Sequence, residues 1–196
     1  MSRFETVEVE RIEGRLTPVH WDWAEQEAER IDARWAELVA QRPRLFDGRV
    51  LLAHRWNVEG GVLRMELFST RFSRLMGWKE AGRPDGVANG FAMAALRSAD
   101  GAYLLGEMGA HTANAGRIYF PAGTPDFDDV RGDVVDLDGS VLRELEEETG
   151  LRPEMVEIAP RWSVTIGEGS IACFRSIRAR LDAREAVAFI HAALER

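Results

Sequence analysis

Residues 143–148 read Arg-Glu-Leu-Glu-Glu-Glu, four carboxylates and one guanidinium within six positions. An α-helix advances about 100° per residue. With Val141 at zero, Leu142 and Leu145 fall within about 100° of it and form the expected buried face. Glu144, Glu147 and Glu148 share the adjoining arc, Arg143 lies beside Glu147, and Glu146 points elsewhere. On its own this arrangement is unfavourable. Acids three and four residues apart repel, and they sit toward a helix C-terminus, where the macrodipole favours cations. Two carboxylates about 5 Å apart repel by roughly 3 kcal/mol at an effective dielectric of 20. A compensating positive charge is therefore expected. Arg143 offers part of it, and a hard, oxygen-seeking divalent ion such as Mg²⁺ offers more. A solvated acidic helix face is the alternative reading of the same residues.

The elements that must position these groups follow from periodicity and punctuation. A strand is expected within residues 5–13, broken by Pro18. Asp22 with Glu25 has the spacing of a capping box, opening a helix to about residue 40 whose apolar face is Ile31, Trp35, Leu38 and Val39. Strands over 49–57 and 62–68 are joined by Glu59-Gly60-Gly61, a hairpin signal. Phe72, Leu75, Met76 and Trp78 suggest a short helix. Arg83-Pro84-Asp85-Gly86 divides the chain into residues 1–85 and 86–196. Residues 91–96 and 102–108 then read as a hairpin about Ser98-Ala-Asp-Gly101, followed by a polar loop (109–116), a strand (118–120) and a long acidic loop (121–139). The glutamate helix starts near Ser140 and stops at Gly150. Strands over 161–166 and 171–177 precede a helix capped by Asp182 and Glu185, with Val187, Phe189, Ile190 and Ala193 as its apolar positions.

The 196 residues are 45% hydrophobic and 30% charged, a globular composition. No apolar run reaches the roughly 18 residues of a membrane span, and the N-terminus has no apolar stretch of signal-peptide length. The one cysteine, Cys173, forms no internal disulfide and reads as a buried strand residue; a reducing cytoplasm is expected. A net charge of −8 gives no attraction for nucleic acid and repels small anions. An acidic protein that handles phosphates needs a cation between the two.

In residue order, Arg143-Glu-Leu-Glu-Glu-Glu-Thr-Gly-Leu151 resembles the core of the Nudix box, Arg-Glu-apolar-any-Glu-Glu-any-Gly-apolar, at every fixed position. Phe120-Pro-Ala-Gly123 resembles the Phe-Pro-Gly-Gly that opens that family's loop–helix–loop. The resemblance implies an α/β/α sandwich around a mixed sheet over residues 86–196, with residues 1–85 as an α+β extension. It implies hydrolysis of a nucleoside diphosphate linked to another group, with Mg²⁺ or Mn²⁺ neutralising the diphosphate. Glu147 and Glu148 would be the main metal ligands, Glu144 a third ligand or an aid to water activation, and Arg143 the partner that orients a glutamate. The carbonyl of Ala122 or Gly123 would complete the metal shell. The chain departs from the pattern in its loop, which is about six residues longer, and Val135 stands where a glutamate is expected. Asp133, Asp136 and Asp138 are the nearby candidates to replace it.

Trp35-Ala-Glu-Leu38 and Arg42-Pro-Arg-Leu-Phe-Asp-Gly48 with the hairpin after them are similar to the N-terminal region of the UDP-glucose diphosphatase branch of the superfamily, which also has an enlarged box. A UDP-sugar would give UMP and a sugar 1-phosphate. ADP-ribose, NADH and coenzyme A are other substrates of the implied class, and a non-catalytic nucleotide-sugar-binding module is a different reading. Residues 1–85 serving mainly for dimerisation is compatible with either. Strand alternation puts Arg117 and Tyr119 on one face, where the arginine would bind phosphate, and Gly123 joins them as a substrate contact. His111 and Asn114, in the polar loop, are open to substrate or to solvent. The six tryptophans are expected to pack in the core or an interface. Arg131-Gly132-Asp133 is read as a chance tripeptide rather than an adhesion signal.

Overall fold

The structure, a computed structural model, describes residues 4–84, 86–109 and 115–195. His111, Asn114 and Asp85 lie outside the described residues. The chain opens with two short strands, β1 (Glu5–Val9) and β2 (Arg11–Leu16), rather than the one expected over 5–13. The break is at Glu10, whose N–H bonds to the Gly61 carbonyl at 2.7 Å and turns the chain from one sheet into the other. Two helices follow, α1 (Asp22–Gln26) and α2 (Ala28–Gln41). The expected Asp22–Glu25 capping box does not form: the cap is Trp21, and Asp22 is already helical and pairs with His20 at 3.1 Å. Packing overrides the local signal here, because the Trp21 ring stacks on Trp23 and edge-on against Phe68, with centroids 5.2 and 5.5 Å apart.

The hairpin of β3 (Arg49–Glu59) and β4 (Val62–Arg71) turns on Gly60 and Gly61, both at positive φ (56° and 74°), as a type I′ turn requires. Helix α3 (Phe72–Glu80) comes next and lies against α2. A Cβ on Gly77 would fall 2.6 Å from the Ile31 side chain, so glycine permits that approach. Then come β5 (Asn89–Arg97), β6 (Gly106–Glu107), β7 (Ile118–Tyr119) and β8 (Ala122–Gly123). The expected hairpin after residue 97 is reduced to one bridge, Arg97 to Tyr103, and the chain leaves to pair β6 with β7. Strand β5 is largely buried and pairs along its whole length with a later strand, residues 170–178.

The stretch expected as a loop over 121–139 is ordered backbone. Beyond β8 it contains a 3₁₀ turn (Phe127–Asp129), β9 (Val130–Arg131) and β10 (Val134–Val135), and helix α4 (Leu137–Thr149) starts three residues earlier than the Ser140 expected. Strands β11 (Val156–Gly167) and β12 (Ser170–Ala179) and helix α5 (Ala183–Leu194) complete the fold. The Asp182–Glu185 capping box of α5 forms in both directions. Ala186 is its buried position, while Val187, expected on the apolar face, is 44% exposed.

The architecture is mixed α/β, as expected, but it has two five-stranded mixed sheets. The first runs β1-β11-β12-β5-β8, with β12 and β5 parallel; the second runs β3-β4-β2-β10-β9, with β4 and β2 parallel. Residues 1–85 therefore contribute strands to both sheets: β1 pairs with β11, and β2 with β10. One core joins the two parts, with Val9, Leu51, Leu63 and Leu67 packed in a cluster with Ala92, Val141, Leu145, Trp162 and Ile177. A smaller cluster on the other side of β3 and β4 gathers Leu52, Phe68, Leu75 and Trp78. No helix among the described residues is long and apolar enough to cross a membrane. Cys173 is fully buried, and burial pushes its thiol up to about 12.

Candidate active site

Helix α4 lies along β5 and β8 and against α5. Asp136 caps it, its carboxylate accepting the Gly139 N–H at 2.9 Å. Gly150 ends it in the left-handed conformation (φ 71°), with its N–H on the Glu146 carbonyl. Val141 and Leu145 are buried as the helical period requires; Leu142, expected with them, is only half-buried. That anchoring leaves Arg143, Glu144 and Glu148 half-buried beside β8, and Glu147 exposed.

Arg143 is the hub. One guanidinium nitrogen sits 3.2 Å from both carboxylate oxygens of Asp129, and the other lies 3.2 Å from Glu144 and 3.3 Å from Glu147. Burial works against its charge, but Asp129, Glu144 and Glu147 more than offset this and hold the guanidinium protonated. The Arg143 Nε is buried with no acceptor among the described residues.

Asp129 is the residue that sequence reasoning missed. Its side chain is 3% exposed, and besides Arg143 it accepts the Ser140 hydroxyl at 3.1 Å and the Asp126 N–H at 3.1 Å. Asp126 and Asp129 cap each other across the 3₁₀ turn, so the spacing Asp-x-x-Asp was the available signal. The three aspartates expected to replace the loop glutamate are engaged elsewhere. Asp133 pairs with Arg15 at 3.1 Å, Asp136 caps α4, and Asp138 meets Arg175 at 3.3 Å. Val135 is in the core, its carbonyl 2.9 Å from where a Cβ on Gly14 would stand, so no carboxylate projects from that position into the cluster.

Strand β8 carries the other half of the site. It pairs with β5 through Ala92–Gly123 and Met93–Ala122. The Ala122 N–H donates to the Glu148 carboxylate. The Glu144 carboxylate lies over Gly123: a Cβ there would be 2.1 Å from Oε1 and 2.4 Å from Cδ. Only glycine leaves that space. Burial, with Glu147 and Glu148 adding repulsion and Arg143 opposing it, raises the Glu144 carboxyl to about 7. Burial likewise raises Glu148, against the Ala122 hydrogen bond.

The structure thus brings Arg143, Glu144 and Glu147 together and sets Glu144 and Glu148 on adjacent residues of β8. Among the described residues, however, no three His, Cys, Asp or Glu side chains form a group that would hold a metal ion. The expected ligands are not gathered on one point, because Arg143 draws Glu147 and Glu144 toward itself while Glu148 rests on a backbone donor. The donor set still fits a hard divalent cation. It consists of carboxylate oxygens, the donors a hard ion prefers, and two of these carboxylates, Glu144 and Glu148, are desolvated where α4 lies on β8. Arg117 is exposed just before β7 and Tyr119 is half-buried within it. The charge of Arg117 is felt at Lys79 on α3, whose ammonium is pulled down to about 8 by burial and by Arg83 and Arg117.

The raised Glu144 carboxyl has a thermodynamic consequence. An unfolded glutamate loses its proton near 4.5, whereas the folded one keeps it until about 7. Between those values the native state binds more protons, so its stability falls as pH rises through the window, by on the order of 3 kcal/mol. Denaturant unfolding of the metal-free protein is expected to show this loss between pH 5 and pH 8, and Glu144→Gln is expected to flatten it. The same slope in both proteins would contradict the burial of this carboxyl.

No family model matches the chain, and no curated protein matches it either.

Proposed function

We propose that the chain is a Nudix-type diphosphatase that cleaves a nucleoside diphosphate linked to another group, with a UDP-sugar as the preferred substrate. The observation that carries this reading is the conjunction of residue order and placement on α4. Arg143 bridges Asp129, Glu144 and Glu147, and Gly123 admits the Glu144 carboxylate against β8.

Glu144, Glu147 and Glu148 would hold Mg²⁺ or Mn²⁺, with a carbonyl of Ala122 or Gly123 completing the shell. When bound, that ion would neutralise charge on the diphosphate oxygens and make the phosphorus more electrophilic. Arg143 fixes the glutamate side chains and keeps their mutual repulsion in check, with Asp129 anchoring it from below. Glu144, the most desolvated carboxylate of the three, accepts a proton from the attacking water. The water oxygen bonds to one phosphorus, the bridging P–O bond breaks, and the departing phosphate takes the electron pair. For a UDP-sugar the products are UMP and the sugar 1-phosphate. The net charge of −8 supports a cation-mediated approach of so anionic a substrate.

A nucleotide-sugar-binding module without catalysis is the second reading, favoured by the ungathered carboxylates and by Val135 standing where a glutamate is expected. A turnover screen with Mg²⁺ over UDP-glucose, UDP-galactose, ADP-ribose, NADH and coenzyme A, with products identified by phosphorus NMR, separates the two. UMP and sugar 1-phosphate are expected. Hydrolysis of ADP-ribose alone would remove the UDP-sugar preference.

A further inference from the structure

Strand β3 forms the outer edge of its sheet, and its two halves are treated differently. In the first half the outward-facing backbone groups are satisfied: the Leu51 N–H bonds to the Pro125 carbonyl at 2.8 Å, and Ala53 exchanges two hydrogen bonds with Ala88 at 2.9 and 2.8 Å. A bulge between Ala53 and Arg55 then carries the strand outward. From Arg55 to Glu59 every residue is exposed. The two-residue turn makes Glu59 and Val62 a hydrogen-bonded pair, so Glu59, Asn57 and Arg55 turn their backbone groups inward to β4. Trp56 and Val58 turn theirs outward, and among the described residues no backbone group meets them. Both side chains are large, apolar and exposed, at 37% and 38%. The corresponding edge of the other sheet, β1, is five residues long and guarded by Glu5 and Glu8. Unlike the like charges on β1, the charges on this edge are of opposite sign, Arg55 and Glu59, so the open edge can template a strand of complementary charge.

We propose that this edge pairs with the same edge of a second copy of the chain, antiparallel, about a two-fold axis at Asn57. The sequence Arg55-Trp-Asn-Val-Glu59 is self-complementary in that register. Arg55 faces Glu59 of the second copy, and Trp56 faces Val58, an opposite-charge pair and an aromatic–β-branched pair, each occurring twice. Trp56 and Val58 are also the residues whose outward N–H and C=O groups meet no backbone partner among the described residues, so the apolar pairs coincide with the hydrogen-bonded pairs. A shift by one residue would set inward-facing groups against outward-facing ones and lose that coincidence. Asn57 sits on the axis as a non-hydrogen-bonded pair, with Cα atoms about 4.5 Å apart.

That spacing falls in the range a disulfide bridges, and the chain's own cysteine is buried, so Asn57→Cys reports the register directly. Wild-type protein is expected to sediment near twice its 22.0 kDa at micromolar concentration, and Asn57→Cys is expected to cross-link almost completely under mild oxidation. Val58→Pro removes only an outward N–H, so it should keep the native circular dichroism and sediment as a monomer. A monomeric wild type, a dimer that Asn57→Cys does not cross-link, or a folded Val58→Pro that stays dimeric would each overturn the pairing. None of these outcomes depends on the chain being a diphosphatase.

Discussion

Gly123→Ala is expected to lower diphosphatase turnover by about 100-fold while leaving the fold intact. The added Cβ would stand 2.1 Å from Glu144 Oε1, and the only atoms free to yield are those of the glutamate itself. Gly123 is not in the left-handed region, so the backbone accepts alanine without strain. The carboxylate swings off β8 and takes its share of the Arg143 contact with it. Because in the proposed mechanism the displaced group would act on the reacting water rather than on the rest of the substrate, the loss should appear in kcat more than in KM. Steady-state kinetics with a circular dichroism control checks this. A folded Gly123→Ala retaining activity within about threefold of wild type would show that the Glu144 position over β8 is irrelevant to turnover.

Asp129→Ala is expected to be the most destabilising single change near the site, at about 3–5 kcal/mol in denaturant unfolding. Asp129 is almost fully buried, and its removal takes the acceptor of one Arg143 guanidinium nitrogen, of the Ser140 hydroxyl and of the Asp126 N–H at once. Glu144 and Glu147 stay on the other Arg143 nitrogen and do not replace the lost acceptor, and the exposed Glu147 pair contributes only about 0–1 kcal/mol. Asp129→Asn keeps an acceptor oxygen for some of these donors and should lose less. A cost below about 1 kcal/mol for the alanine variant would mean that the aspartate is not the anchor of the cluster.

These two residues mark the limits of what the sequence makes legible. The α4 cluster is readable because helical period fixes neighbours within a turn; Val141 and Leu145 are buried, and Arg143 meets Glu147 one turn on. Asp129 is not readable in the same way. It meets Arg143 across fourteen positions, and only the 3₁₀ turn and β9–β10 between them set that approach. The start of α4 was displaced because Asp136 caps through Gly139, a pairing that lacks the glutamate of a capping box. The hairpin signal at Gly60-Gly61 is local and holds. The partners of β1 and β2 are not local: β1 pairs with β11 beyond residue 155, and β2 pairs with β4 from residue 62 and with β10 beyond residue 133. The expected capping box at Asp22 failed for the opposite reason, since the tryptophan packing around it is tertiary.

The most direct test of the proposed chemistry is Mg²⁺-dependent hydrolysis of UDP-glucose by wild type and by Glu148→Gln, with UDP-glucose binding measured in parallel. Glutamine at 148 keeps the shape and the acceptor for the Ala122 N–H but removes a negative charge from the donor set proposed for the cation. Turnover to UMP and glucose 1-phosphate is expected for wild type, with a loss of about 100- to 1,000-fold in Glu148→Gln and a fold unchanged by the substitution. Full activity in Glu148→Gln, or tight UDP-glucose binding by a wild type that hydrolyses none of the diphosphates, would contradict the proposed chemistry.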